Sequence, residues 1–222
     1  MGDRWVTFDC YGTLIDWYGG MLAALAPLAG DRAEALLGAY HALAPQVEGS
    51  PEFVRYRDVL VEGLRRAARR ERLPLGPGDE TALVAGWPDL RAFPEVPAVL
   101  ADLRAAGWRL AVLTNCDDDL FQATAPALGV ALDQVVTAEQ VRAYKPRLAH
   151  FEEFARRTGA LPDGWVHVAN SWVHDLVPAG RLGIPRVWVD RDHSGHDPSL
   201  ATAVLPDLTG LPELLGRLLP AG

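Results

Sequence analysis

The sequence predicts an α/β fold, a mostly parallel sheet flanked by helices with one block of helices inserted after the first strand. Three observations carry that prediction. Short apolar runs bounded by polar or turn residues recur along the chain. Amphipathic segments with three- and four-residue apolar spacing lie between them. A single stretch, residues 16–88, carries helical periodicity alone. Strands that alternate with helices connect through right-handed crossovers and pair in parallel.

In chain order, the first strand is "RWVTF" (residues 4–8), which stops at Asp9 and turns at once through Tyr11-Gly12-Thr13. The helical stretch 16–88 follows, broken near Gly30-Asp31, Gly49-Ser50-Pro51 and Leu75-Gly76-Pro77-Gly78, where glycine and proline punctuate the pattern. A helix over 96–106 leads to a second strand, "RLAVLT" (109–114). A helix over 119–128 leads to "QVVTA" (134–138), one over 148–158 to "WVHVA" (165–169), and one over 176–182 to "PRVWVD" (185–190). This divides the chain into a core of residues 1–15 and 89–222 and a helical cap of residues 16–88. The cap enters beyond the carboxyl end of the first strand, the edge where open α/β sheets bind ligands, so it is placed to act as a lid.

Composition narrows the function classes. A net charge of −8, with 49% hydrophobic and 23% charged residues, describes a folded globular protein with no basic field for a phosphate backbone, so nucleic acid is not expected as a partner. The one basic cluster, "LRRAARRERL" (64–73), has the spacing of a solvated helix face. Apolar stretches such as 22–28 are far shorter than the ~20 residues of a membrane span, and the chain opens without a basic start and apolar signal core, so a cytoplasmic protein is expected. Cys10 and Cys116 are too few for a disulfide scaffold and lack zinc-site spacing, which leaves two free thiols.

Polar groups follow four of the strands: Asp9; Thr114 and Asn115; Lys145; and the run Asn170 to Asp175. Neighbouring strand ends converge in a parallel sheet, so these residues are read together. Each has a plain structural role open to it. Asp9 can cap a turn; Lys145 is a solvated loop lysine or a cation near the strand ends. Thr114 and Asn115 finish a strand or bind, with Asp117 to Asp119 available to cap the next helix; Asn170 and Ser171 cap a helix or orient a water.

"DCYGT", "LTN", "YKP" and "ANSWVHD" occur in the order and spacing of the four motifs of the haloacid dehalogenase superfamily, and the early helical insertion is similar to its first type of cap. The resemblance covers nearly the whole chain and implies a Rossmann-like core. It makes Asp9 the nucleophile, Thr114 a ligand of the nucleophile or of a substrate carboxylate, and Asn115 a holder of the leaving group. Lys145 becomes the partner of Asp9, and Asp175 the residue that orients water. Phosphatases of the superfamily usually carry a second Asp two places beyond the nucleophile, to protonate the departing alcohol. Here that place holds Tyr11, a phenol with an ordinary pKa near ~10 and a poor acid at neutral pH. Halide leaves without a proton, so the pattern resembles the L-2-haloacid dehalogenases.

The fourth motif reads Ala169-Asn170-Ser171 where magnesium-dependent members have Gly-Asp-Ser, an amide in place of an anionic oxygen ligand, and no metal or other cofactor is expected. The expected reaction is cleavage of a carbon–halogen bond of a small carboxylate substrate through a covalent ester. The alternatives are a magnesium-dependent phosphatase and a catalytically silent binding protein. Tyr11, Tyr40, Asn115, Asn170, Ser171 and Trp172 are the expected substrate contacts, and the resemblance allows a homodimer. One departure stands out. The family's halide-cradling Arg has no counterpart in "LLGAYHALAPQ" (36–46), which offers Tyr40 and His41, and Arg55 or Arg57 of "VRYRDV" are as well suited to an exposed face. His174 is read as a hydrogen-bonded structural histidine, and His193 and His196 as loop residues rather than a metal pair.

Overall fold

The computed structural model describes residues 4–220, so residues 1–3 and 221–222 of the expected core lie outside the described part. Six parallel strands form one sheet in the order β3-β2-β1-β4-β5-β6. They are β1 (Trp5–Phe8), β2 (Arg109–Thr114), β3 (Gln134–Thr137), β4 (Trp165–Ala169), β5 (Arg186–Val189) and β6 (Ala203–Leu205). β1 lies in the middle, with Thr7 level with Ala111 of β2 and His167 of β4. Both faces of the sheet are covered, which is why its strands read as continuous apolar runs rather than alternating ones.

Alternation still decides which face each side chain meets. Val6, Phe8, Val112, Val166 and Val168 face one apolar layer with α5 (Val96–Ala105) and, further along, α10 (Leu211–Leu218). Trp5, Ala111, Leu113 and Trp165 face the other, where Phe151 and Phe154 of α8 (Ala149–Thr158) pack. Phe154 stacks on Trp165 with ring centroids 4.2 Å apart. Thr7 and His167 share this second face, so two polar side chains are sealed inside the sheet–helix layer at 0% exposure.

Between β1 and β2 come α1 (Trp17–Ala29), α2 (Ala33–Glu48), α3 (Tyr56–Arg70) and α4 (Ala82–Ala85), with 3₁₀ turns at Gly30–Arg32, Asp79–Thr81 and Trp87–Asp89. Asp16 caps α1 by accepting from the Gly19 N–H. α2 and α3 approach closely because Gly63 has no Cβ, which would sit 2.7 Å from the Tyr40 ring. In α3, Leu64, Ala67 and Ala68 are buried while Arg65, Arg66 and Arg69 pair with Glu80 and Glu62, so the basic cluster is one wet face of an amphipathic helix. The chain enters and leaves this helical block side by side. Ile15 bridges Ala92, Asp16 N–H donates to Arg91 O and Phe93 N–H to Leu14 O.

The remaining helices are α6 (Asp118–Thr124), α7 (Ala138–Val141) and α9 (Val177–Arg181), with a π-helical turn at Trp172–Leu176 directly before α9. Three elements have no counterpart in the sequence reading, one of them the four-residue α7. β6 is three residues long, ended by Pro206 and preceded by a polar run, so it carries too little pattern to register. α10 lies beyond it, and its Leu211, Leu214 and Leu215 complete the first apolar layer.

Candidate active site

The backbone turns sharply as soon as β1 ends. Gly12 sits at φ +90°, a conformation that favours glycine, and this folds Thr13 back over Asp9. Thr13 Oγ1 donates to Asp9 Oδ2 at 2.8 Å and accepts from Asn170 N–H at 2.9 Å, which ties the β1 turn to the end of β4. Asp9 is 8% exposed, and both of its carboxylate oxygens are held.

The other oxygen is held by Lys145. Its ammonium group donates to Asp9 Oδ1 at 2.8 Å, Asp175 Oδ1 at 2.6 Å and Leu113 O at 2.8 Å, which uses all three of its hydrogens. At 2% exposure, burial alone would push the lysine pKa down; Asp175 first and Asp9 second outweigh it and hold it above the ordinary value. Asp175 is fully buried, and Lys145, followed by His167, holds its pKa below the usual carboxylate range against that burial. Asn115 fixes the lysine from behind. Its Oδ1 accepts from Lys145 N–H at 2.7 Å and its Nδ2 donates to Lys145 O at 3.1 Å, leaving one amide hydrogen beyond that clamp. Thr114, expected to bind the nucleophile or a substrate carboxylate, makes no bond to Asp9 and lines the cavity; its hydroxyl points to Cys116 Sγ, and Thr13 takes the place on Asp9.

The π turn positions the last carboxylate. Leu176 N–H reaches back to Ser171 O, and Ser171 Oγ accepts from His174 N–H and contacts His174 Nδ1 at 3.0 Å. Burial lowers the His174 pKa, which keeps its ring neutral. Ser171 therefore caps this turn and lines the cavity at the same time.

A family model described as haloacid dehalogenase-like hydrolase matches residues 4–181. The chain belongs to that family. (S)-2-haloacid dehalogenase 4A of Burkholderia cepacia is 29% identical to this hydrolase over 211 residues, 91% of this chain and 88% of the relative. Glyceraldehyde 3-phosphate phosphatase of Methanothermobacter thermautotrophicus is 33% identical over 135 residues, 57% of this chain and 59% of that one. The crystal structure of the L-2-haloacid dehalogenase RSc1362 superposes with a TM-score of 0.85 at 28% identity, over 97% of this chain and 99% of that one.

Asp9, Asn115, Lys145, Asn170, Ser171 and Asp175 of this hydrolase open onto one cavity of about 730 Å³, roofed by Trp17, Tyr40 and His41 from α1 and α2. Tyr11 lines it too, but its hydroxyl is engaged elsewhere, with Thr124 Oγ1 at 2.9 Å and Trp87 Nε1 at 3.3 Å. Burial raises its pKa well above the ordinary phenol value, so it is no proton donor at neutral pH. Trp172, expected beside the substrate, lies outside the lining. The π turn carries it to the far side, where it packs on Trp188 at 5.0 Å and His196 at 5.1 Å. Arg55 and Arg57 also stay out; they pair with Asp117, Asp119 and Glu139 at the edge of α3.

Thr13, Arg191, Glu48 and His167 have no site role in the sequence reading. Thr13 figures there only as part of the turn after the first strand. Arg191, two residues past β5, lines the cavity with its guanidinium stacked 3.8 Å over Phe93 and bonded to Thr13 O and Glu95. Its only signal was its place after a strand at the ligand-binding edge. Glu48, the last residue of α2, lines the cavity without a polar partner among the described residues, and burial raises its pKa to about 7. His167 gave no signal because a histidine within "WVHVA" reads as strand interior.

Proposed function

We propose that this hydrolase displaces halide from C2 of a 2-haloacid through an ester on Asp9, without a metal. The observation that carries the reading is the Lys145 ammonium shared by Asp9 and Asp175. It keeps Asp9 ionised for attack on carbon, and it neutralises charge on the two carboxylates that would otherwise draw a divalent cation. Tyr11, in place of an acid, removes the proton donor that an alcohol leaving group requires, whereas halide departs as the anion. The named dehalogenases that the chain matches over most of its length support the same substrate class.

In the first step an Asp9 oxygen forms a bond to C2 as the carbon–halogen bond breaks, and the halide leaves with the electron pair. Asn115 and the cavity wall of Thr114 and Tyr11 surround that departure. In the second step water adds to Asp9 Cγ and gives a proton to Asp175. The tetrahedral intermediate expels the 2-oxyanion, which takes the proton to become the 2-hydroxy acid, and Asp9 ionises again with loss of one proton to solvent. Asp175 Oδ2, buried without a hydrogen-bond partner, is the acceptor open to that water. Attack from the side opposite the halide inverts C2.

Residues 16–88 form the cap and residues 1–15 with 89–222 the core in this reading, hinged where Ile15 and Ala92 pair. Two buried free thiols, Cys10 and Cys116, suit a reducing cytoplasm. Among the described residues no helix is long and apolar enough to cross a membrane. The test is halide release from the enantiomers of 2-chloropropanoate and 2-bromopropanoate with EDTA present. Turnover of one enantiomer to the inverted 2-hydroxy acid is expected. No turnover of any haloacid, together with magnesium-dependent release of phosphate from p-nitrophenyl phosphate, reverses the assignment.

A further inference from the structure

Behind Asp175 runs a fully buried chain of hydrogen bonds that the reaction as described does not use. His167 Nε2 lies 2.9 Å from Asp175 Oδ1, and His167 Nδ1 lies 2.8 Å from Thr7 Oγ1; the histidine and the threonine are both at 0% exposure. Asp175 is a carboxylate acceptor, so Nε2 carries the hydrogen, and Nδ1 pairs with the Thr7 hydroxyl, which also lies 3.5 Å from Val166 O. The edge of the Phe151 ring, 5.0 Å away, closes the pocket around the imidazole. β1 and β4 set this arrangement directly, because Thr7 and His167 are register partners in adjacent parallel strands.

We propose that His167 is a positioning residue for the second half of the reaction, holding Asp175 so that its free oxygen faces the ester on Asp9. This rests on the haloacid reading above. Asp175 Oδ1 has two donors, Lys145 and His167, whereas Oδ2 has none. Lys145 has no hydrogen to spare, since Asp9 and Leu113 take the other two. Once Asp9 is alkylated it loses its charge, and the ammonium is left to act on Asp175 alone. A carboxylate drawn toward that ammonium is turned from the water and is a weaker base. The His167 N–H is the second donor on Oδ1, and it does not change when Asp9 becomes an ester. Groups that orient metal ligands in this way change activity by about 10–100-fold, and a comparable factor is expected here.

The experiment separates the two half-reactions. Wild type, His167→Leu, His167→Gln and Thr7→Val are mixed with 2-chloropropanoate, halide is followed from the first turnover, and acid-quenched protein is weighed by intact mass spectrometry. His167→Leu is expected to give a burst of one halide per enzyme, a steady rate about 10²-fold below wild type, and accumulated ester mapped to Asp9. Thr7→Val, which removes only the group that orients the imidazole, is expected to show the same partition to a smaller degree. It serves as the decisive variant if His167→Leu does not fold. His167→Gln, whose amide restores a donor toward Oδ1, is expected to recover at least tenfold of the loss. Equal slowing of burst and steady rate, or wild-type kinetics without ester in both His167→Leu and Thr7→Val, overturns the role of His167 and leaves the haloacid reading standing. A wild type that releases no halide overturns both.

Discussion

In the proposed reaction Asp9 and Lys145 are the pair on which the chemistry turns, and each makes a prediction at the scale of one side chain. Asp9→Asn keeps the shape but replaces the carboxylate proposed as nucleophile with an amide. Halide release is expected to fall by at least about 10³-fold in a steady-state assay, with folding intact by circular dichroism. Lys145→Met leaves two buried carboxylates without their counter-ion, a loss of about 3–5 kcal/mol, or a Tm lower by about 10 °C at neutral pH. The pH dependence follows from the directions of the shifts. The Asp175 pKa is held down, so its contribution is present above the unfolded carboxylate value and is lost as pH falls through the folded one. The Lys145 pKa is held up, so its contribution is present below the unfolded lysine value and is lost as pH rises through the folded one. The Tm gap between wild type and Lys145→Met is therefore expected to be widest at neutral pH and to close in acid; a gap independent of pH contradicts the ion-pair account.

At the scale of elements, the ends of α2 and α3 matter more than their middles. Asp117, fully buried at the end of β2, accepts from the N–H groups of Tyr56 and Arg57 at 3.0 and 2.9 Å, so a core loop supplies the N-terminal cap of α3. Asp117→Ala is expected to cost about 1–2 kcal/mol in denaturant unfolding and to raise KM more than it lowers kcat, since α3 braces the roof rather than the nucleophile. Glu48 is the opposite case, a carboxyl at the negative end of the α2 dipole. Its folded pKa is raised to about 7, so it costs stability as pH rises from the unfolded value through 7. Glu48→Gln is expected to gain about 1–2 kcal/mol at pH 8, a few degrees in Tm, with no gain at pH 4; the same gain at both pH values rules out the dipole and burial account.

For the molecule as a whole, the cavity joins groups from the sheet edge and from α1 and α2, so a ligand inside it touches both parts. A ligand that binds only the folded chain adds about 2.7 kcal/mol at a hundredfold excess over its Kd. With the ester-forming step blocked in Asp9→Asn, 2-chloropropanoate is expected to raise Tm by roughly 5–10 °C, while propanoate amide raises it less. Equal shifts with both would show that the cavity does not select a carboxylate. The lining holds two cations, Lys145 and Arg191, both paired with carboxylates, beside the acids Asp9, Asp16, Glu48, Asp175 and Asp192.

Five of the six strands, the helical insertion and the clustering of Asp9, Lys145 and Asp175 at strand ends were legible in the sequence, because buried parallel strands leave continuous apolar runs and put their chemistry at their carboxyl ends. A linear reading also found the absence of an acid at Tyr11, which separates halide from alcohol as leaving group. Only the tertiary structure decided which side chains share a contact. It put Thr13 rather than Thr114 on Asp9, turned Trp172 away through one π turn, and paired Thr7 with His167 across β1 and β4, residues distant in the chain. The reason is physical. Periodicity is a property of neighbours along the chain and survives in one dimension, whereas a hydrogen bond depends on strand order, register and the rotation of a single turn, which are fixed only when the sheet closes.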